Sequence, residues 1–182
     1  MKKAREILGL PIILMDTGKE VMEISGVLIH RGQKKIAGFL VDEGGWFKGA
    51  KLVRYRDVHK IGKDAVLIRN KDKIALSTTF PELENIIEER YNIFDLEVID
   101  DHGNKLGFIK DIGFDGRNGV IKLLEISGGI IEDVVSGRWI IPLSEDISLH
   151  TEKILVPSEY ILEFKKKGGL KKYFSEVRGK ED

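Results

Sequence analysis

The sequence lacks cysteine altogether and has only four prolines and two tryptophans among its 182 residues. Without cysteine, disulfides and thiolate metal sites are both excluded. No apolar run approaches the roughly 20 residues that a membrane-spanning helix needs. The basic N-terminus is not followed by the apolar stretch of a signal peptide. We therefore expect a soluble protein of the cytoplasm.

Charge is abundant and unevenly distributed, although the net charge is zero. Residues 1–75 contain 16 Lys and Arg against 9 Asp and Glu, whereas residues 92–160 contain 6 against 13. Residues 161–182 are basic again, with 7 against 4. Such asymmetry between the halves of a chain indicates an interaction function.

The chain contains an internal repeat in which five segments recur in the same order, 84 to 88 residues apart. The turn Asp16–Glu20 matches Asp101–Lys105, and the apolar segment Lys51–Tyr55 matches Arg138–Pro142. The other three matches join residues 36–41 to 120–125, the Gly-Gly pair 44–45 to 128–129, and residues 65–68 to 153–156. Five matches in order predict a duplicated structural unit.

Each copy has the pattern of short β-strands separated by turns. From Leu106 to Phe114 the apolar residues alternate along the chain, which predicts a strand buried on one face. Turn residues recur at short spacing, as in small barrels and sandwiches. Because five or six short strands bury little surface, closure into a barrel is the economical way to remove sheet edges. The sequence thus predicts an all-β fold of two tandem small barrels.

Two helices are predicted outside the barrels. Thr79 and Glu82 have the spacing of a capping box, and a stripe of three apolar residues follows, which predicts a linker helix over 79–91. The stripe is formed by Leu83, Ile86 and Ile87. After Gly168-Gly169, apolar residues at helical spacing predict a short C-terminal helix with Lys171 and Lys172 off the stripe.

Three segments carry a resemblance to a known family. The segments are Phe39–Lys51, Asp57–Val66 and Val98–Gly107, and they are similar to the PRC-barrel family. The first copy departs from the family pattern after its turn, where it has Val21-Met22 and the second copy has Leu106-Gly107. The resemblance implies a small β-barrel in each copy. Members include the cytoplasmic part of the H subunit of photosynthetic reaction centres and the C-terminal domain of a 16S rRNA maturation factor. The family has no catalytic residues to carry over.

The repeat and the resemblance together predict four segments. Residues 1–76 form the first barrel and residues 77–91 the linker helix. Residues 92–157 form the second barrel and residues 158–182 the basic C-terminal tail.

A search for catalytic or ligand-binding patterns finds none that stands. The four histidines, His30, His59, His102 and His150, lack metal-ligand spacing. Asp100-Asp101-His102 could hold a cation, but a solvated turn explains it better. The sequence contains no nucleophile elbow, phosphate loop or dinucleotide fingerprint. We expect no catalytic residue, no metal, no cofactor and no enzymatic activity.

Two groups of residues are candidates for partner binding. Trp46-Phe47 and Ile130-Ile131 directly follow the two Gly-Gly loops, where they either plug a barrel end or anchor a protein partner at exposed tips. A basic set is a candidate for contact with anions or RNA. Its members are Lys34, Lys35, Lys48, Lys51, Arg54 and Arg56 in the first copy, and Lys171 and Lys172 in the tail.

The expected function is that of a non-enzymatic adaptor that binds protein partners. The alternative is an RNA- or ribosome-associated factor in small-subunit maturation, favoured by the basic first barrel and tail. No stacking platform for RNA bases is visible in the sequence. The unlike charges of the two barrels also predict salt-sensitive homo-oligomers, while the short apolar stripe of the tail speaks against stable membrane insertion.

Overall fold

The computed structural model describes residues 1–41, 49–89, 91–127 and 139–160. Contacts divide the chain into two compact units. Unit 1 contains residues 1–92 together with 111–122, and unit 2 contains residues 93–110 and the chain from 123 onward. None of the helices in these described stretches combines the length and the apolar character needed to cross a bilayer.

Up to residue 92, the described part of unit 1 contains nine short strands and one α-helix. These are β1 (Lys2–Lys3), β2 (Pro11–Leu14), β3 (Glu20–Glu23), β4 (Gly26–His30), β5 (Lys35–Leu40), β6 (Lys51–Arg54), β7 (Val58–Ile61), β8 (Val66–Ile68), β9 (Ile74–Leu76) and α1 (Pro81–Glu88). Eight of these strands, β2 to β9, form two sheets in the orders β3-β2-β8-β7 and β4-β5-β6-β9. Only β2 and β8 pair in parallel; the other neighbours are antiparallel.

The second repeat has the same strand order. Its strands are β10 (Glu97–Asp100), β11 (Lys105–Phe114), β12 (Ile121–Ser127), β13 (Trp139–Pro142), β14 (Ser148–Leu149) and β15 (Lys153–Val156). Their order is β13-β12-β11-β10-β15-β14, with β10 and β15 parallel as β2 and β8 are. A β-bulge follows Val98 in this repeat and Ile12 in the first, at matching positions. The predicted duplication and the mostly-β fold are confirmed.

The repeats differ in one strand. β11 is continuous, whereas its counterpart in the first repeat is split into β3 and β4 at Ile24-Ser25. The Ile24 N–H donates to the Leu10 carbonyl at 3.0 Å, and the Ser25 N–H donates to the Leu40 carbonyl at 2.9 Å. The chain therefore changes sheets at this point, which curls unit 1 into two half-barrels.

The end of β11 is buried on both faces, unlike the one-sided strand that alternation predicted. Residues 111–114 are all buried, whereas Phe108 and Lys110 are half-buried. Asp111 is 4% exposed, and its Oδ1 accepts hydrogen bonds from the N–H groups of Arg5 and Ile112. β1 pairs with this end of the strand, Lys2 lying opposite Phe114. Alternation misjudges these residues because contacts with distant parts of the chain, such as the Arg5 N–H that binds Asp111, bury both faces.

The linker helix exists, but its predicted cap is wrong. α1 begins at Pro81, its N-cap is Phe80, and no side chain caps it. Thr79 instead ends a 3₁₀ turn from Ser77, because proline at the first helical position fixes where the helix begins. The predicted stripe, Leu83, Ile86 and Ile87, packs in one cluster with residues of β4, β5 and β6: Leu28, Leu40 and Leu52.

The predicted C-terminal helix lies outside the described residues, which end at Tyr160.

Candidate functional site

Unit 1 contains a groove of about 860 Å³ with a strongly basic lining. It is bordered by β5, β7, the turn after β6, one side of α1 and residues 116–118. Six cationic side chains line it: Lys2, Lys35, Arg54, Arg56, Lys60 and Arg117. Among the described lining residues, Glu82 is the single acid. Such an excess of one charge sign in a concave site concentrates anions.

Backbone hydrogen bonds fix one end of the groove. The Ile36 N–H donates to the Gly119 carbonyl at 2.9 Å, and the Ile121 N–H donates to the Lys34 carbonyl at 2.9 Å. Gly119 has φ +77°, and a Cβ there would lie 3.0 Å from the Ile36 carbonyl oxygen and 3.1 Å from the Tyr55 ring. Only glycine fits this turn, which carries Arg117 to the groove.

A cluster of aromatic rings supports this end of the groove. The Tyr55 ring lies 5.8 Å from Phe39 and 6.3 Å from Phe114, measured between centroids. Its hydroxyl donates to the Asp115 carbonyl at 3.3 Å. Burial, reinforced by the nearby Asp115 carboxylate, raises the pKa of Tyr55 to about 12. The phenol therefore stays neutral and keeps this hydrogen bond across the physiological range.

Three of the six cations are engaged in internal contacts. The Arg54 Nε lies 2.5 Å from the Asp57 carboxylate, and the Arg54 guanidinium stacks over the Phe80 ring at 4.2 Å. The Lys2 Nζ donates to the Gly62 carbonyl at 3.0 Å. Arg117 faces Asp115 at 3.6 Å. These contacts hold the side chains in place and compensate part of their charge.

The other three cations are uncompensated. Lys35 is half-buried, and Arg56 and Lys60 are exposed. Within the stretches that the structure describes, none of the three forms an ion pair with a carboxylate. The lining also includes the half-buried apolar residues Ala37 and Val58. The groove thus offers free positive charge beside apolar surface.

The structure brings together part of the predicted basic set. Lys35, Arg54 and Arg56 line the groove, and Lys34 lies in the turn immediately before β5 with φ 49°. Lys51 lies elsewhere, beside a shallow cavity that Lys71 and Asp72 also line. The remaining predicted residues lie outside the described ranges: Lys48, Trp46, Phe47, Ile130, Ile131, Lys171 and Lys172.

Three groove cations were missed by the sequence analysis. Lys60 lies in β7, only four residues beyond Arg56. The basic residues around it in the sequence could therefore have indicated that it belongs to the same site. Lys2 and Arg117 reach the groove through β1 and through the turn before Gly119. No local pattern reveals these two, because only the tertiary fold brings them to this site.

The triplet Asp100, Asp101 and His102 is accounted for by a turn. Its potential ligand atoms lie within 4.8 Å of one another. Hydrogen bonds from the Asn104 side chain and from the Asn104 and His102 N–H groups lower the pKa of Asp100. The Asp101 carboxylate, 2.8 Å from the imidazole, raises the pKa of His102. These contacts close the turn between β10 and β11.

Comparison with known proteins identifies the fold family. No curated protein matches the chain. A model of the PRC-barrel domain family matches residues 1–74 and again residues 86–161. The two matches cover most of the chain and coincide with the two repeats of equal strand order. The protein therefore belongs to the PRC-barrel domain family and contains two such domains in tandem.

Proposed function

We propose that this chain is a non-enzymatic interaction module whose groove in unit 1 binds an acidic segment of a protein partner. The observation that carries the proposal is the set of three uncompensated cations, Lys35, Arg56 and Lys60, around one apolar-lined groove.

The chemistry of the lining favours carboxylates flanked by apolar side chains. The Arg56 guanidinium can bind a carboxylate through two parallel hydrogen bonds, and the two lysines act as point charges. Exposed ion pairs contribute about 0.2–1 kcal/mol each, so three of them supply roughly 1–3 kcal/mol. The remaining affinity must come from apolar contacts with the half-buried lining residues Ala37 and Val58.

The groove is less suited to RNA. Single-stranded RNA is bound largely by stacking of bases on exposed aromatic rings. Among the described lining residues, Tyr55 is the one member of the Phe, Tyr and Trp class, and it is only 8% exposed. The other rings of the lining are the imidazoles of His30 and His59, whose stacking surface is smaller. An acidic peptide uses the charge and the apolar surface without needing a stacking face.

Selection from a random peptide display library on the full chain tests the proposal. We expect the selected peptides to be enriched in Asp and Glu. The double variant Arg56→Glu/Lys60→Glu should bind them at least tenfold more weakly. The matched control, Arg69→Glu/Lys71→Glu, changes an exposed Arg and an exposed Lys of the same unit that do not line the groove, and should keep the affinity within threefold.

Selected peptides without an acidic bias would contradict the proposal. An equal loss of affinity in both double variants would show a general electrostatic attraction rather than a groove site. Binding of homopolymeric RNA to the same variants tests the alternative ligand. If RNA binds tightly and only Arg56→Glu/Lys60→Glu abolishes the binding, the ligand of the groove is RNA and not an acidic peptide.

A further inference from the structure

We propose that the acidic segment binds as an added β-strand along the open edge of β7. The inference rests on the proposed function and specifies how the partner's backbone is recognised. Its ligand class is an extended peptide with acidic side chains, held by main-chain hydrogen bonds as well as by charge.

β7 is the terminal strand of its sheet. In the order β3-β2-β8-β7 it pairs with β8 on one side, and no other described strand pairs with it. An edge strand presents alternate N–H and C=O groups on its open side, ready to pair with another chain.

The open edge of β7 borders the groove. All four consecutive residues of the strand, Val58 to Ile61, line it. The pairing register of β7 with β8 shifts between Val58 and Lys60, so side chains do not alternate strictly along this strand. Because β7 is the terminal strand of its sheet and lines the groove over its whole length, its open edge borders the groove, and Lys60–Ile61 is the regularly paired part to which a strand can be added. At one end, the Lys2 Nζ occupies the Gly62 carbonyl directly after β7, so that an added strand ends near Ile61.

Charge determines which strand this edge accepts. A lysine on an edge strand discourages pairing with another chain of ordinary composition. Lys60 lies on β7, and Lys35 and Arg56 border the same groove. An acidic strand opposite them gains favourable cross-strand pairs, whereas a basic strand is repelled. The opposite edge of the sheet, β3, carries Glu20 and Glu23 and lacks this preference for acidic partners.

The test uses the tightest acidic peptide from the display selection, bound to the full chain. Two N-methylated versions are made, one methylated at odd and one at even backbone positions. An added strand directs alternate N–H groups towards β7, so blocking one set removes the main-chain bonds, while blocking the other set leaves them intact. We expect one version to lose at least tenfold in affinity and the other to stay within threefold of the unmodified peptide.

Equal affinities of the two methylated peptides would overturn strand addition, whether both remain bound or both are lost. In that case the proposed function still stands, provided that the unmodified peptide binds in a manner sensitive to Arg56→Glu/Lys60→Glu. If no acidic peptide is selected at all, both proposals fail. Sedimentation of the chain alone tests whether a second copy of the chain binds at the β7 edge instead. Self-association that the peptide abolishes would contradict a separate protein partner.

Discussion

Replacing Phe114 by alanine tests whether core packing holds the turn that carries Arg117 to the groove. The Phe114 side chain is fully buried and meets the Tyr55 ring edge-on at 6.3 Å. Removing a buried phenylalanine ring costs about 3–5 kcal/mol. For a unit of about 100 residues, each kcal/mol lowers the melting temperature by roughly 4–8 °C, so we expect a decrease of about 12 °C or more.

The matched control is Phe108→Ala in the same strand. Phe108 is half-buried, and the Lys105 ammonium lies 4.0 Å from the centre of its ring. Losing this contact and the partly exposed ring should cost less than half as much. Urea unfolding of both variants, followed by circular dichroism, measures the difference. A loss below about 1 kcal/mol for Phe114→Ala, or equal losses for the two variants, would refute the packing described here.

Two further predictions concern the turns. Gly119→Ala should destabilise the protein clearly more than Gly18→Ala in urea unfolding. Both residues have positive φ, but only at Gly119 would an added Cβ clash, with the Ile36 carbonyl and the Tyr55 ring. Equal losses of stability would show that backbone strain alone matters. Asp101→Asn should lower the pKa of His102 towards its ordinary value in an NMR titration, since Asp101 is the main cause of the increase. The contribution of this pair to stability should be lost as the pH rises through the raised pKa of His102, and also as the pH falls through the lowered pKa of Asp101. An unchanged titration would contradict the assignment.

The sequence predicted the duplicated β fold because strand alternation is a local pattern and the repeat is visible when the two halves of the sequence are compared. The stripe on α1 was correct for the same reason, since Leu83, Ile86 and Ile87 lie within a single helix. The capping box at Thr79 was wrong because a 3₁₀ turn and Pro81 compete for the same residues.

The site was only partly predictable. Lys35, Arg54 and Arg56 could be named because the first repeat is rich in basic residues. Which of them are free depends on contacts that composition does not show: Asp57, three residues on, and the distant Phe80 engage Arg54, whereas no described acid engages Arg56. The edge position of β7 follows from the sheet order and could not be read from its four residues.

Mapping of the bound peptide onto the chain by NMR tests the central claim most directly. The full chain, labelled with ¹⁵N, is titrated with the selected acidic peptide, and the amide shifts are followed. We expect the largest changes on Lys35–Ala37, Val58–Ile61 and Gly116–Asn118, and we expect them to disappear in Arg56→Glu/Lys60→Glu. Changes centred on residues 97–110, or changes that persist in the double variant, would contradict it.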